Sequence, residues 1–173
     1  ISISDPSSIF LTESQWKDMP KHKVPLNREV LQTRISYIED SLGSLERFKG
    51  FSYENFHSNS DNFRIAFYDL HRALEAVMDI GSHILSRTPG ARPTSYKDIP
   101  RLLEKNKIIP ADFATHSLTK MAGYRNRMVH FYGENQEREI YNIIQEELED
   151  FYTFLKHIHA ILKNPSKFNL SIT

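Results

Sequence analysis

Arg125 and His130 stand five residues apart in "GYRNRMVHFYGE", Gly123 to Glu134, with Asn126 directly after the arginine and Tyr132 two residues after the histidine. Arginine and histidine together are a minimal kit for cutting RNA without a metal. The ribose 2′-OH attacks its neighbouring phosphate once a base removes its proton and an acid protonates the leaving oxygen, and imidazole suits either task near neutral pH. The guanidinium, always charged and forked, stabilises the charge that develops on the phosphorane. R-x-x-x-x-H alone is a weak signal: 11 arginines and 8 histidines give about half a chance match per chain of this size. Requiring the tyrosine lowers that to about 0.02, and the asparagine lowers it further.

The stretch also sits in a local run of one charge sign. From Phe113 to Gly133 there is no acidic residue, while Lys120, Arg125 and Arg127 are cationic and His130 can become so. With Tyr124, Phe131 and Tyr132 interleaved, this predicts a positive, aromatic patch of the kind that holds phosphates and stacks bases, with Arg127 and Lys120 as RNA contacts. On one ideal helix Arg125 and His130 point about 140° apart, whereas Arg125 and Tyr132 nearly coincide. A single straight helix therefore does not aim both catalytic candidates at one phosphate. Either the helix unwinds after His130, helped by Gly133, or two copies of the site face each other in a symmetric dimer.

Other constellations are weaker. There is no phosphate-binding glycine loop, HExxH or GxSxG, and no cysteine, so thiol nucleophiles and cysteine metal sites are excluded. His157 and His159 lie about 200° apart on a helix and cannot chelate one metal from one face. His71 and His83 read as structural, and the acidic "EELED", Glu146 to Asp150, as a solvated helix face. No metal or cofactor is expected in the chain.

The elements that must carry these residues are helical. The 173 residues carry 22 basic and 22 acidic side chains, so bulk charge names no polyanionic partner. Hydrophobic residues at 39% and charged residues at 25% fit a single globular domain, and no apolar run is long enough for a bilayer. Residues 1–25 read as an arm without a secretory signal, 26–163 as the helical domain and 164–173 as a tail.

Leu31, Ile35, Ile38, Leu42 and Leu45 form one stripe behind an Asn27 cap, with Leu26 and Leu31 as a hydrophobic staple. A second helix after Ser60, with that hydroxyl as cap, carries Phe63, Phe67, Leu70, Leu74, Val77 and Ile84, and Gly81 marks a close approach. A Pro/Gly loop leads to a short helix near Ile99 to Lys107, capped by Ser95 or Asp98, and Pro110 opens the motif helix. One last helix runs from Ile140 to Leu162. The fold class is all-α, an up-and-down bundle of four to five helices that associates through helices around the motif.

"RNRMVHFY" resembles the R-x-x-x-x-H-x-Y motif of HepT-like toxins of the HEPN superfamily, and the order of helices over residues 26–163 is similar. The resemblance implies a cytoplasmic ribonuclease toxin acting as a homodimer, with the motifs of both protomers lining one cleft. Arg125 and His130 then take the catalytic roles, with Asn126 as the motif's polar companion. The partner would be a minimal nucleotidyltransferase antitoxin that uses ATP to add AMP to Tyr132. The RNA substrate, tRNA or mRNA, is not specified by the motif. A different expectation is a non-catalytic HEPN module that binds a nucleotidyltransferase or RNA without cutting it, and a third is a purely structural dimeric bundle.

Overall fold

The computed structural model describes residues 24–130 and 135–173. The elements are α1 (Arg28–Leu45), a 3-10 turn (Glu46–Phe48), α2 (Tyr53–His57), α3 (Ser60–Ser86), α4 (Asp98–Lys105), α5 (Ala111–Phe113), a π segment (Ala114–Leu118), α6 (Thr119–His130), α7 (Asn135–Glu146), α8 (Leu148–Lys163) and a 3-10 turn (Pro165–Phe168). Among the described residues there is no strand beyond the isolated parallel bridge of Leu26 with Ile172. No described helix is long and apolar enough to cross a membrane.

The first helix forms as its sequence dictates. Asn27 accepts from the Val30 N–H at 3.0 Å, and Leu31, Ile35, Ile38, Leu42 and Leu45 are all buried. That stripe lies along α3, the most extensive helix pairing in the structure. The cap of α3 is Asn59, whose side chain takes the Asp61 N–H, and Ser60 is the first helical residue rather than the cap. Both are good capping types, and local sequence does not separate neighbours of that kind. The stretch after α1 is more than a break: Phe48 and Phe56 from its turn and α2 pack edge to face at 5.4 Å and are fully enclosed.

Gly81 is where α4 crosses α3. A Cβ there would meet Ile99 Cγ2 at 2.5 Å, so only glycine lets the two backbones close to this distance. Asp98 begins α4 and turns its carboxylate back to accept from the Thr94 and Ser95 N–H groups at 3.0 and 3.2 Å. The Thr94 hydroxyl, donating at 2.7 Å, and then the Thr94 N–H and Arg101 hold it far below the usual carboxylate range.

The single last helix expected from the stripe is two helices. Glu147 leaves helical geometry at φ −125° and ψ 5°, and its carboxylate is taken by Tyr124 and Lys120 of α6. No proline or glycine marks this break, and the apolar stripe reads through it because Ile144, Leu148 and Phe151 all reach the core. The C-terminal residues dock on the start of the domain: Leu26 N–H donates to Ser171 at 2.8 Å, and Thr173 N–H to Leu26 at 2.9 Å.

Candidate active site

Helix α6 is set by the π segment before it, whose wider turn closes with the Thr119 hydroxyl donating to the Ala114 carbonyl at 2.8 Å. Met121, Ala122 and Met128 anchor the helix in the core. Its remaining residues diverge onto two sides, and this divides the candidate site residues.

Arg125 points toward α3 and α4. Its Nε donates to Glu75 Oε2 at 2.7 Å, and its guanidinium lies 4.3 Å from the centre of the Tyr96 ring. Tyr96 in turn donates its hydroxyl to Glu75 Oε1 at 3.1 Å. Each member of this triad holds the other two. Burial pushes the Glu75 carboxyl up, but the Arg125 and Tyr96 hydrogen bonds and the Arg125 charge outweigh it and hold it below its ordinary value. Burial, followed by the neighbouring Glu75, pushes the Tyr96 phenol up. Only Nε of Arg125 is engaged: Nη1 and Nη2 make no hydrogen bond to another described residue.

Asn126, the next residue, lines a recess of about 390 Å³ together with Tyr96, Ser95 and Ser82. His130 ends α6, exposed and without a hydrogen bond or ion pair to another described residue. Within one chain no bond joins Arg125 and His130, and α6 stays helical through His130. Tyr132 and Gly133 lie outside the described residues.

Lys120 and Arg127 face the other way. Arg127 pairs with Glu139 of α7 at 2.6 Å and stacks on Tyr124 at 4.9 Å, while Lys120 reaches Glu147 at 3.4 Å. The Tyr124 hydroxyl donates to Glu147 at 2.8 Å, and burial, then that carboxylate, push its phenol well up. The positive patch expected from the acid-free run is therefore neutralised in three dimensions. Glu75 and Glu139 arrive from other helices and Glu147 from the break between α7 and α8, each on one of its cations. Glu147 belongs to the acidic run read as a solvated face, yet its side chain is only 20% exposed.

Glu75 and Tyr96 are the site residues the sequence does not announce. Glu75 is one acid among several on α3, and Tyr96 sits in a loop; only the fold brings both to Arg125. Three of the other histidines pack: His71 stacks on Phe67 at 6.2 Å, His157 contacts Phe113 at 5.1 Å, and His83 Nε2 accepts from the Asn27 N–H at 3.1 Å. Among the described residues no group of three or more His, Asp or Glu side chains is placed to hold a metal ion.

Comparison with known proteins yields concordant matches. The family model described as ribonuclease HepT-like matches residues 38–158. A tRNA nuclease HepT of Aphanizomenon flos-aquae is 25% identical over 135 residues, covering 77% of this chain and 90% of that protein. An mRNA nuclease HepT of Shewanella oneidensis is 36% identical over 92 residues, covering 53% of this chain and 68% of that one. In structure, the chain is similar to a tri-AMPylated HEPN toxin of Shewanella oneidensis solved in complex with its MNT antitoxin, with a TM-score of 0.68 and 28% identity over 77% of this chain and 98% of that one.

Proposed function

Since the chain belongs to the ribonuclease HepT-like family, we propose that it is the toxin of a toxin–antitoxin pair, an RNA-cutting enzyme silenced by a nucleotidyltransferase antitoxin. The nuclease names of its relatives and the toxin–antitoxin complex of its structural neighbour support this reading.

The observation that carries the chemistry is the state of Arg125. Glu75 and Tyr96 fix its guanidinium through Nε and the ring face, and both Nη groups, unengaged by any other described residue, donate to two oxygens of one phosphate. A preoriented fork of this kind stabilises a phosphorane without reorganising as charge develops. His130 supplies the proton transfers: it takes the proton from the 2′-OH or gives one to the leaving 5′ oxygen. Asn126, beside Arg125 on the same helix end, orients the scissile phosphate. The second proton-transfer group and the second guanidinium come from the partner protomer of a homodimer. This answers the angular divergence of Arg125 and His130 along α6. In this reading the reaction needs no metal.

In the antitoxin's reaction the Tyr132 phenol oxygen bonds the α-phosphorus of ATP, taking AMP and releasing pyrophosphate. The adduct places a phosphodiester and an adenosine two residues from His130, which adds negative charge and bulk where RNA would bind. Arg127 and Lys120 would have to give up Glu139 and Glu147 to hold RNA, so their first duty is to seat α6 on α7 and α8.

The test is cleavage of a defined RNA by the purified chain in EDTA, alongside Arg125→Ala and His130→Ala. Each variant is expected to lose about 10²–10⁴-fold in rate. A wild-type chain that leaves RNA intact, yet still binds the nucleotidyltransferase, would establish the non-catalytic alternative.

A further inference from the structure

The segment from Ile80 to Lys97 is a second run without an acidic residue, and it carries Arg87 and Arg92. In the fold it wraps from the end of α3 to the start of α4, and two recesses open along it. One, of about 530 Å³, is lined by Arg87 and Arg92; the other is the 390 Å³ recess that ends at Tyr96 and Asn126. They share Ser82 and Pro93 as wall residues, so they adjoin. Among the described residues no carboxylate lines either one.

This separates them from the other arginine-bearing recesses. The one between α1 and α3 has Arg34 paired with Asp79 at 3.0 Å and contains Glu75 as well. The one beside Arg127 is walled by Glu139, Glu146 and Glu147. Along the α3–α4 segment the arginines are instead left over. Among the described residues Arg87 Nε is buried with no hydrogen-bond partner, and Nη1 alone is engaged, donating to the Ser86 hydroxyl. Arg92 is exposed and pairs with no described residue. A buried guanidinium N–H without an acceptor is costly, and an anionic oxygen at that position would satisfy it. The acids that flank the run are committed elsewhere, Asp79 to Arg34 and Asp98 to Thr94, Ser95 and Arg101.

Resting on the ribonuclease reading above, we infer that this paired recess is the substrate track: Arg87 and Arg92 hold phosphates of a single RNA strand that runs past Ser82 and Pro93 to the scissile phosphate at Asn126 and Arg125. The neutral, hydroxyl-bearing wall between the two ends accepts ribose and base edges without repelling the backbone, and the Tyr96 ring borders the catalytic end.

The experiment measures binding of a short fluorescent single-stranded RNA to the full chain carrying His130→Ala, across a salt series. Adding Arg87→Ala and Arg92→Ala should weaken binding about tenfold and shallow the log–log salt slope by about 1.4, the loss of two phosphate contacts. Arg92→Glu alone, at an exposed position that does not touch folding, should act in the same direction. Arg64→Ala, whose side chain is 77% exposed far along α3, should change neither quantity. In the active chain the double variant should raise KM with kcat nearly held. Unchanged affinity and slope in the double variant, with wild type still cutting RNA, overturn the track and leave the ribonuclease reading standing. Loss of antitoxin binding with RNA binding intact also overturns it, marking the surface as a protein dock. A wild type that neither binds nor cuts RNA removes both.

Discussion

Glu75 and Arg125, 50 residues apart in sequence, meet at 2.7 Å across the α3–α6 junction, and Tyr96 closes the contact by stacking on one and donating to the other. The carboxylate orients the guanidinium, and no other described residue hydrogen-bonds its Nη fork. Glu75→Gln keeps an acceptor but removes the charge, whereas Glu75→Ala leaves Arg125 held by the Tyr96 ring alone among the described residues. The expectation is a graded loss, with kcat falling more in the alanine than in the glutamine variant and KM moving less than kcat. The pair is partly exposed, so the stability cost of Glu75→Ala should be only about 1–2 kcal/mol, read by denaturant unfolding. Because the Glu75 carboxyl is held below its ordinary value, its contribution is complete above the unfolded value of 4.5 and disappears only as pH falls through the lower folded value.

Gly81 tests whether the α3–α4 crossing positions the site. Gly81→Ala puts a methyl group 2.5 Å from Ile99 Cγ2, and overpacking of this kind costs about 1–3 kcal/mol. Tyr96 lies three residues before Ile99, so RNA cleavage should fall along with the melting temperature. An alanine variant with wild-type stability and activity would show that α4 shifts freely.

His83 makes stability depend on pH. Its Nε2 accepts the Asn27 N–H and so must be unprotonated, and burial, with the Arg87 charge, lowers its pKa. The unfolded chain then binds more protons below pH 6.5, and stability falls as pH drops through and below that value. His157, lowered by burial and Lys156, acts in the same direction. Thermal unfolding should therefore drop roughly a few degrees between pH 7.5 and pH 5.5, and His83→Gln should flatten part of that slope. A profile flat across this range in the wild type would exclude the bond.

Much of the frame was legible in the sequence because its signals are local. The α1 stripe, the Asn27 cap and the close approach at Gly81 each depend on residues within a turn or two, and each stands as read. The break at Glu147 was not legible, because the apolar spacing continues through it and the cause is a tertiary pull from Tyr124 and Lys120. The acid-free run around the motif misled for the same reason, since absence of acid along a chain does not keep acid away in space. Glu75 carries no sequence mark at all; its role exists only where α3 passes α6. Residues 131–134, with Tyr132 among them, lie outside the described residues, so the modification site rests on the motif.

For that site, incubation with the cognate nucleotidyltransferase and ATP should add AMP mass to a peptide containing Tyr132 and abolish RNA cleavage in parallel. Tyr132→Phe should remain unmodified and stay active under the same treatment. Equal modification of the phenylalanine variant would move the switch to another residue.

In the proposed mechanism Arg125 and His130 cut RNA by moving the scissile phosphoryl group to the adjacent 2′ oxygen while the 5′ oxygen leaves as a hydroxyl. Product-end analysis after digestion in EDTA tests it most directly. The expected result is 2′,3′-cyclic phosphate and 5′-hydroxyl ends, no cleavage when the scissile ribose is 2′-deoxy, and little product from Arg125→Ala or His130→Ala. Product with 5′-phosphate ends, or cleavage by His130→Ala at the wild-type rate, would contradict it.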